Sequence, residues 1–301
     1  MRLFRKRLDL PLRILVTGAS GFIGRNLAET LARRYDVRSP VRAELDLTDP
    51  SAVRDYLMAH RFDVVVHSAT GRSNRKTTAP DLFKNNCRMF FNFARSRHLY
   101  GKLLHFGSGA EFGIRVPRMA ETFFDAHVPS DDYGFAKYIA AQYTEAARSN
   151  IYNLRLFGVF GKYEAWDVRF ISNAICRALF DLPIVLRQNV RFDYLYVDDL
   201  AELTARFIEH EPRHRTYNVC TGRTHDILSL ARMVADVSGR NPRIDVAQEG
   251  FGPEYSGDNA RMLENLGPFA FREMKDAVSE LYGWYEEHKA EIDPVALRFD
   301  G

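Results

Sequence analysis

Thr17-Gly18-Ala19-Ser20-Gly21-Phe22-Ile23-Gly24 decides the reading of this chain. The aliphatic run Ile14 to Val16 precedes it, and Ile23, Leu27 and Leu31 follow at every fourth position, as one face of a helix would. Strand, tight turn and helix are therefore expected in that order. Backbone N–H groups at the start of a helix attract phosphate, and residues without a Cβ let a ligand approach the backbone closely. Gly18, Ser20, Gly21, Phe22, Ile23 and Gly24 are accordingly the expected contacts of a pyrophosphate.

Working outward, Asp49-Pro50 has the form of a helix start, a capping residue before a proline at the first helical position. Val64-Val65-Val66 reads as the next strand, 102–106 as another ending in a glycine-rich turn, and 154–157 as a further one after the helical stretch 135–148. Strands alternating with helices imply an α/β fold with a doubly wound parallel sheet. From Lys162 the pattern becomes mixed and is punctuated by Pro183, Pro212, Pro242, Pro253 and Pro268, which implies a second, smaller domain. Residues 194–197 and the helical 200–208 look like another strand and helix, returning the chain to the first domain. The expected division is an extension at 1–12, a dinucleotide-binding domain at 13–161 with 194–210, and a substrate-binding domain at 162–193 with 211–301. The last stretch, 286–301, reads as a fraying helix and tail.

The 301 residues are 46% hydrophobic and 27% charged, an ordinary globular mixture that excludes a disordered or collagenous chain. A formal charge of +3 gives no case for nucleic acid as a partner. Cys87, Cys176 and Cys220 stand alone, against both a disulfide framework and a zinc site, so no metal is expected and a cytoplasmic location fits best. No apolar run approaches the roughly 20 residues of a membrane span, and the basic N-terminus lacks a signal-peptide core, so no membrane partner is expected.

Beyond the glycine turn come Asp63-Val64-Val65-Val66-His67-Ser68-Ala69, then Gly107-Ser108-Gly109-Ala110-Glu111-Phe112-Gly113, then Tyr133-Gly134-Phe135-Ala136-Lys137. In this order the segments resemble the extended short-chain dehydrogenase/reductase superfamily, with its TGxxGxxG turn, DxVxHxAA-like strand end, hydroxyl after the next strand and YxxxK. The resemblance covers roughly residues 12 to 210 and implies a Rossmann-type fold. The residues support it independently. Tyr133 and Lys137, four apart, share one helix face, and an ammonium beside a phenol favours the phenolate, bringing it toward the range useful for proton transfer. Ser108 falls at the carboxyl edge of a parallel sheet, where such folds bind ligands. By the resemblance Tyr133 donates or accepts the proton, Lys137 also holds the nicotinamide ribose, and Ser108 orients the substrate oxygen. Ser68, Ala69, Thr70 and Asn86 are expected beside the cofactor, and His67 is expected to be a buried structural residue.

Near the second strand the chain has Val37-Arg38-Ser39-Pro40-Val41-Arg42 where an NAD-selective site normally offers a carboxylate. Because 43–49 resembles the segment after the 2′-phosphate arginine of GDP-fucose synthases, Arg42 is the expected partner of a 2′-phosphate, Asp46 is expected beside the adenine and Leu47 is a further cofactor contact, so NADP is expected in preference to NAD. Within the superfamily the chain looks most like GDP-fucose synthases and 4-keto-sugar reductases. Segments 155–161 and 192–199 resemble their RxxNVYG and RDFIYVDD elements, with Gly158 and Phe192 as departures. Ser108, Phe157, Arg169, Arg187 and Arg191 are the expected substrate contacts. The Asp-Glu pair of related dehydratases is replaced by Gly109 and Ala110, and the cysteine and histidine of the epimerising synthases correspond to Ala110 and Arg169. The resemblance thus implies an oxidoreductase that reduces a 4-keto nucleotide sugar without epimerising it. A 4-epimerase with tightly bound NAD, and a non-catalytic NADP-binding regulator, are the alternatives. The resemblance also implies a homodimer through the helices at 81–97 and 135–148, and Phe83, Phe90, Ile139 and Tyr143 are the expected contact residues because helix faces left over after covering a sheet need another apolar surface.

Overall fold

The structure, a computed structural model, describes residues 11–71 and 81–298. Its first half follows the expected alternation: Arg13–Thr17 (β1), Phe22–Leu31 (α1), Asp36–Arg38 (β2), Pro50–His60 (α2), Val64–His67 (β3), Leu82–Arg95 (α3), Lys102–Ser108 (β4), Asp132–Ala147 (α4) and Ile151–Leu156 (β5). Local chemistry sets these boundaries. The Asp49 carboxylate accepts from the N–H groups of Ser51 and Ala52 at 2.8 and 3.2 Å, a cap that stabilises α2 by about 1 kcal/mol. The second half adds Gly158–Phe160 (β6), Phe170–Leu179 (α5), Ile184–Asn189 (β7), Arg191–Phe192 (β8), Tyr194–Tyr196 (β9), Val197–Glu209 (α6), Thr216–Val219 (β10), His225–Asp226 (β11), Ile227–Ser238 (α7), Ile244–Phe251 (β12), Ala260–Leu266 (α8) and Met274–Glu287 (α9).

The main sheet runs β10-β5-β4-β3-β1-β2, with every neighbouring pair parallel. Strand order reverses between β1 and β3, and such a switch point opens a crevice at the carboxyl ends of the strands. Leu27 and Leu31 of α1 pack with Leu200, Leu203 and Phe207 of α6 on one face. Val53, Leu57, Phe90, Phe93 and Ala140 of α2, α3 and α4 cover the other. A separate core joins α5, α7 and α9 with β7 around Ile175, Leu179, Leu230, Val278 and Leu281.

Three expectations change. The stretch 211–301 does not lie wholly with the second core: β10 is the sixth strand of the main sheet, and Met262 and Leu266 of α8 pack into the first core. The C-terminal stretch is no frayed tail as far as it is described, because Ile292 and Leu297 are buried in the second core. Of the extension at 1–12, residues 1–10 lie outside the described residues, and Leu12 packs against the first core.

Candidate active site

At the switch point the glycine turn is shaped by close approach. Gly18 has φ +74°, and a Cβ there would stand 2.7 Å from the Cα of Ala69; a Cβ on Gly24 would stand 2.2 Å from the Gly18 carbonyl oxygen. Side chains at either position would separate α1 from β1 and β3. Gly21 begins α1 with neither a side-chain cap nor an acidic residue in the first turn. The leading N–H groups of α1 are thus available to an anion, so the turn fits the diphosphate of a dinucleotide.

Phe22 and Ile23 open a cleft of about 860 Å³ that also reaches Ser68, Thr70, Ser108, Tyr133 and Lys137. Ser108 ends β4, and its Oγ accepts from the Ala110 N–H at 3.2 Å as the chain turns. Asp131 caps α4 by accepting from the Gly134 N–H at 2.8 Å, which fixes the first turn and Tyr133 within it. One turn on, buried Lys137 donates from Nζ to the Phe106 carbonyl at 2.5 Å and lies 5.9 Å from the centre of the Tyr133 ring. The structure therefore brings all three expected catalytic side chains into one cleft.

The other expected contacts divide. Phe157 and Arg169, the latter at the start of α5, line the cleft. Arg187 and Arg191 do not: Arg187 is exposed on β7, and the Arg191 guanidinium lies 4.8 Å over the Phe251 ring. Arg42 is exposed in the turn after β2, 4.0 Å from the Asp46 carboxylate. Hydrogen bonds from the Thr48 hydroxyl and N–H hold that carboxyl below its ordinary value. The Leu47 carbonyl is taken by the Asn92 amide. Asn86 is buried beside the loop after β3, where its Oδ1 accepts from the Gly71 N–H at 2.7 Å and its Nδ2 donates to the Gly71 carbonyl at 3.1 Å. Both amide atoms thus brace the loop after β3. Ala69 is engaged likewise, donating to Thr17 Oγ1 at 3.2 Å.

Under α3 and α4 the sheet face changes character toward the cleft. The aliphatic row Leu15-Val65-Leu103-Ile151 gives way two residues later to Thr17-His67-His105-Asn153-Thr216, in register across five strands and buried throughout. His67 Nδ1 lies 2.9 Å from Thr17 Oγ1, and burial pushes its imidazole down to about 3. Burial lowers His105 well below the usual histidine range as well. Both rings are neutral at physiological pH, so His67 has the structural place expected of it.

Glu111 lies wholly buried beneath the turn after β4. Its Oε1 accepts from the Ser108 N–H at 2.9 Å, Asn153 donates to both its oxygens, and Arg155 Nε donates to Oε2 at 2.5 Å. The carboxylate holds the backbone of Ser108 and does not line the cleft. Sequence reasoning missed Arg115 and Tyr255, which do. Neither stands in a motif, and Tyr255 arrives from the second half of the chain with no local signal to mark it. Among the described residues no cluster of His, Cys, Asp or Glu could hold a metal ion.

Residues 14–220 match the NAD dependent epimerase/dehydratase family. A GDP-6-deoxy-D-talose 4-dehydrogenase of Aggregatibacter actinomycetemcomitans is 24% identical over 297 residues, covering 90% of this chain and 97% of the relative. Among solved structures, a UDP-glucose 4-epimerase of Thermotoga maritima with UDP-glucose aligns with a TM-score of 0.79 at 20% identity, over 92% of this chain and 100% of its own. A GDP-mannoheptose C4 reductase of Campylobacter jejuni with NADP bound aligns with a TM-score of 0.77 at 21% identity, over 92% of this chain and 98% of its own.

Proposed function

The chain belongs to the NAD dependent epimerase/dehydratase family, and from that premise we propose that it is an NADP-preferring reductase of a 4-keto-6-deoxy nucleotide sugar. One observation carries this reading: Ser108, Tyr133 and Lys137 line a single cleft that begins at the glycine turn. The nicotinamide, when bound, supplies the hydride. Ser108, fixed by Glu111 below and Ala110 beside it, is placed to hold the carbonyl oxygen of the substrate. Tyr133 supplies the proton to the alkoxide oxygen. Lys137, anchored on the Phe106 carbonyl, sits under the Tyr133 ring with its positive charge and favours release of that proton.

Support for reduction without epimerisation comes from the catalytic turn. Inversion beside a keto group needs a base that takes a carbon-bound proton. Within that turn Gly109 and Ala110 carry none, and Glu111 is committed to Ser108, Asn153 and Arg155; the carboxylates that do line the cleft, Asp131, Asp132 and Glu164, come from other elements. Arg42 supports NADP, as an exposed cation in the turn after β2 of the kind that holds a 2′-phosphate by charge-assisted hydrogen bonds. The names of the 4-dehydrogenase and C4 reductase relatives support a nucleotide-sugar substrate.

The test is incubation with a panel of 4-keto-6-deoxy nucleotide sugars and NADPH in deuterated water. The expected result is NADPH oxidation with one panel member and no enzyme-dependent deuterium at C3 or C5. Labelling at either carbon with an inverted product would return the protein to the epimerising class.

A further inference from the structure

Tyr255 belongs to none of the motifs, yet it enters the cleft beside Ser108 and Tyr133. Its backbone is fixed on both sides: its N–H donates to the Arg191 carbonyl at 2.9 Å, and its carbonyl accepts from the Asp193 N–H at 3.1 Å. Its ring packs against Phe157 and Phe192, with centroids 5.2 and 5.9 Å away. The phenol is carried to the turn after β4, where it shares the cleft lining with Ser108. It comes so near Gly109 that a Cβ there would lie 2.5 Å from its hydroxyl oxygen and 2.8 Å from the Phe157 ring. Residue 109 therefore accepts no side chain while Tyr255 and Phe157 keep their places.

We propose that Tyr255 is a positioning and specificity-determining residue of this site: its hydroxyl donates to a sugar oxygen at or beside the reacting carbon, and its ring and Phe157 fill the space above Gly109 from which a base would reach the neighbouring carbon. This rests on the nucleotide-sugar reading above. The chemistry suits a donor and not a base, because burial pushes the phenol above its ordinary value and keeps its proton on at neutral pH. Ser108 and Tyr255 then offer two hydroxyls to adjacent oxygens of one sugar. A sugar lacking the second oxygen would leave the Tyr255 hydroxyl unpaired, a loss that hydrogen-bonding sites use for discrimination.

The experiment compares the parent with Tyr255→Phe, which keeps the ring and removes the donor. Calorimetric titrations with GDP-, UDP- and dTDP-linked 6-deoxyhexoses, and with the corresponding nucleoside diphosphates, are run on the protein saturated with NADP. Thermal unfolding verifies the fold. The expected result is binding of the sugar conjugate weakened about 3- to 10-fold, with affinities for the nucleoside diphosphate and for NADPH unchanged. In the reductase assay KM should rise more than kcat falls. Unchanged conjugate affinity, or equal weakening toward the nucleoside diphosphate, would overturn the proposal. A parent that binds conjugates but reduces no 4-keto sugar would sink the reductase reading while the titration still decides the role of Tyr255. A parent that binds no conjugate would sink both.

Discussion

Arg155→Met tests whether the buried pair beneath Ser108 supports the catalytic turn. In the parent the guanidinium is fully buried, donates from Nε to Glu111, and lies between Phe112 and Phe124 with ring centroids 4.9 and 4.4 Å away. Removing one partner of a buried pair costs about 3–5 kcal/mol, because the other charge stays buried without compensation. Two details favour the lower end. Glu111 keeps its hydrogen bonds from Ser108 and Asn153, and Nη1 and Nη2 of Arg155 have no partner to lose. Unfolding entropy of about 2.1 cal/mol/K per residue gives roughly 0.6 kcal/mol/K for a chain of this size, so about 3 kcal/mol lowers Tm by about 5 °C.

The pH dependence has a definite sign. Burial already raises the Glu111 carboxyl above its ordinary value, and loss of the Arg155 charge raises it further. The folded variant then holds a proton that the unfolded chain has released, so stability is greatest below about pH 4 and is lost as pH rises through the folded value. The variant should therefore fall further below the parent at pH 8 than at pH 5. Glu111→Gln combined with Arg155→Met removes the stranded charge and should recover most of the loss. Calorimetry at both pH values measures all three chains, and kcat/KM reports on Ser108. A Tm within 1 °C of the parent, or a double variant worse than Arg155→Met alone, would refute the reasoning.

Four further outcomes are expected. NADPH should bind more tightly than NADH, and Arg42→Ala should erode about 10- to 100-fold of preference; equal dissociation constants in the parent would count against Arg42. Tyr133→Phe should cut turnover about 10²- to 10⁴-fold with NADPH affinity near parental, and turnover within a factor of three would reject Tyr133 as the donor. His67 and His105 bind protons more weakly folded than unfolded, so their contribution to stability is full above about pH 6.5 and is lost as pH falls toward the folded values, at up to about 1.4 kcal/mol per pH unit each; urea midpoints at pH 7, 6 and 5 check this, and His105→Phe should roughly halve the slope. Light scattering at micromolar concentration should give a dimer mass through α3 and α4, with half-buried Phe83, Ile139 and Tyr143 at the contact, whereas Phe90 is already spent on the subunit core against His105 and Phe91.

Where the geometry of the cleft depends on neighbours in sequence, it was readable in advance. The glycine turn needs only a strand end, a helix start and missing Cβ atoms, and Tyr133 and Lys137 need only one helical turn between them. The cap at Asp49 is equally local. Strands whose partners lie far along the chain were harder. Thr216–Val219 is short, and only pairing with Ile151–Leu156 makes it the edge of the main sheet. Arg187 and Arg191 looked like substrate cations because they are positive and close to a recognisable segment, but strand direction turns the first outward and a ring contact occupies the second.

The two walls of the cleft explain this asymmetry. One wall is the carboxyl edge of the parallel sheet, where β1, β3 and β4 each end in a short motif that carries its own chemistry. The other is assembled from Phe157, Arg169, Phe192, Tyr194, Ile227 and Tyr255, drawn from separate elements. Asp193 ties that wall together: its buried carboxylate accepts from the Thr221 hydroxyl and from the N–H groups of Thr221 and Gly222, while its own N–H holds the Tyr255 carbonyl. On the proposed reading, hydride and proton transfer make the same demands on every keto sugar, and the side chains assigned to them stand on the first wall. The same reading assigns recognition of a particular sugar to the second, whose side chains meet only in the folded protein. Replacements there should alter which sugar is accepted before they alter the reaction performed on it.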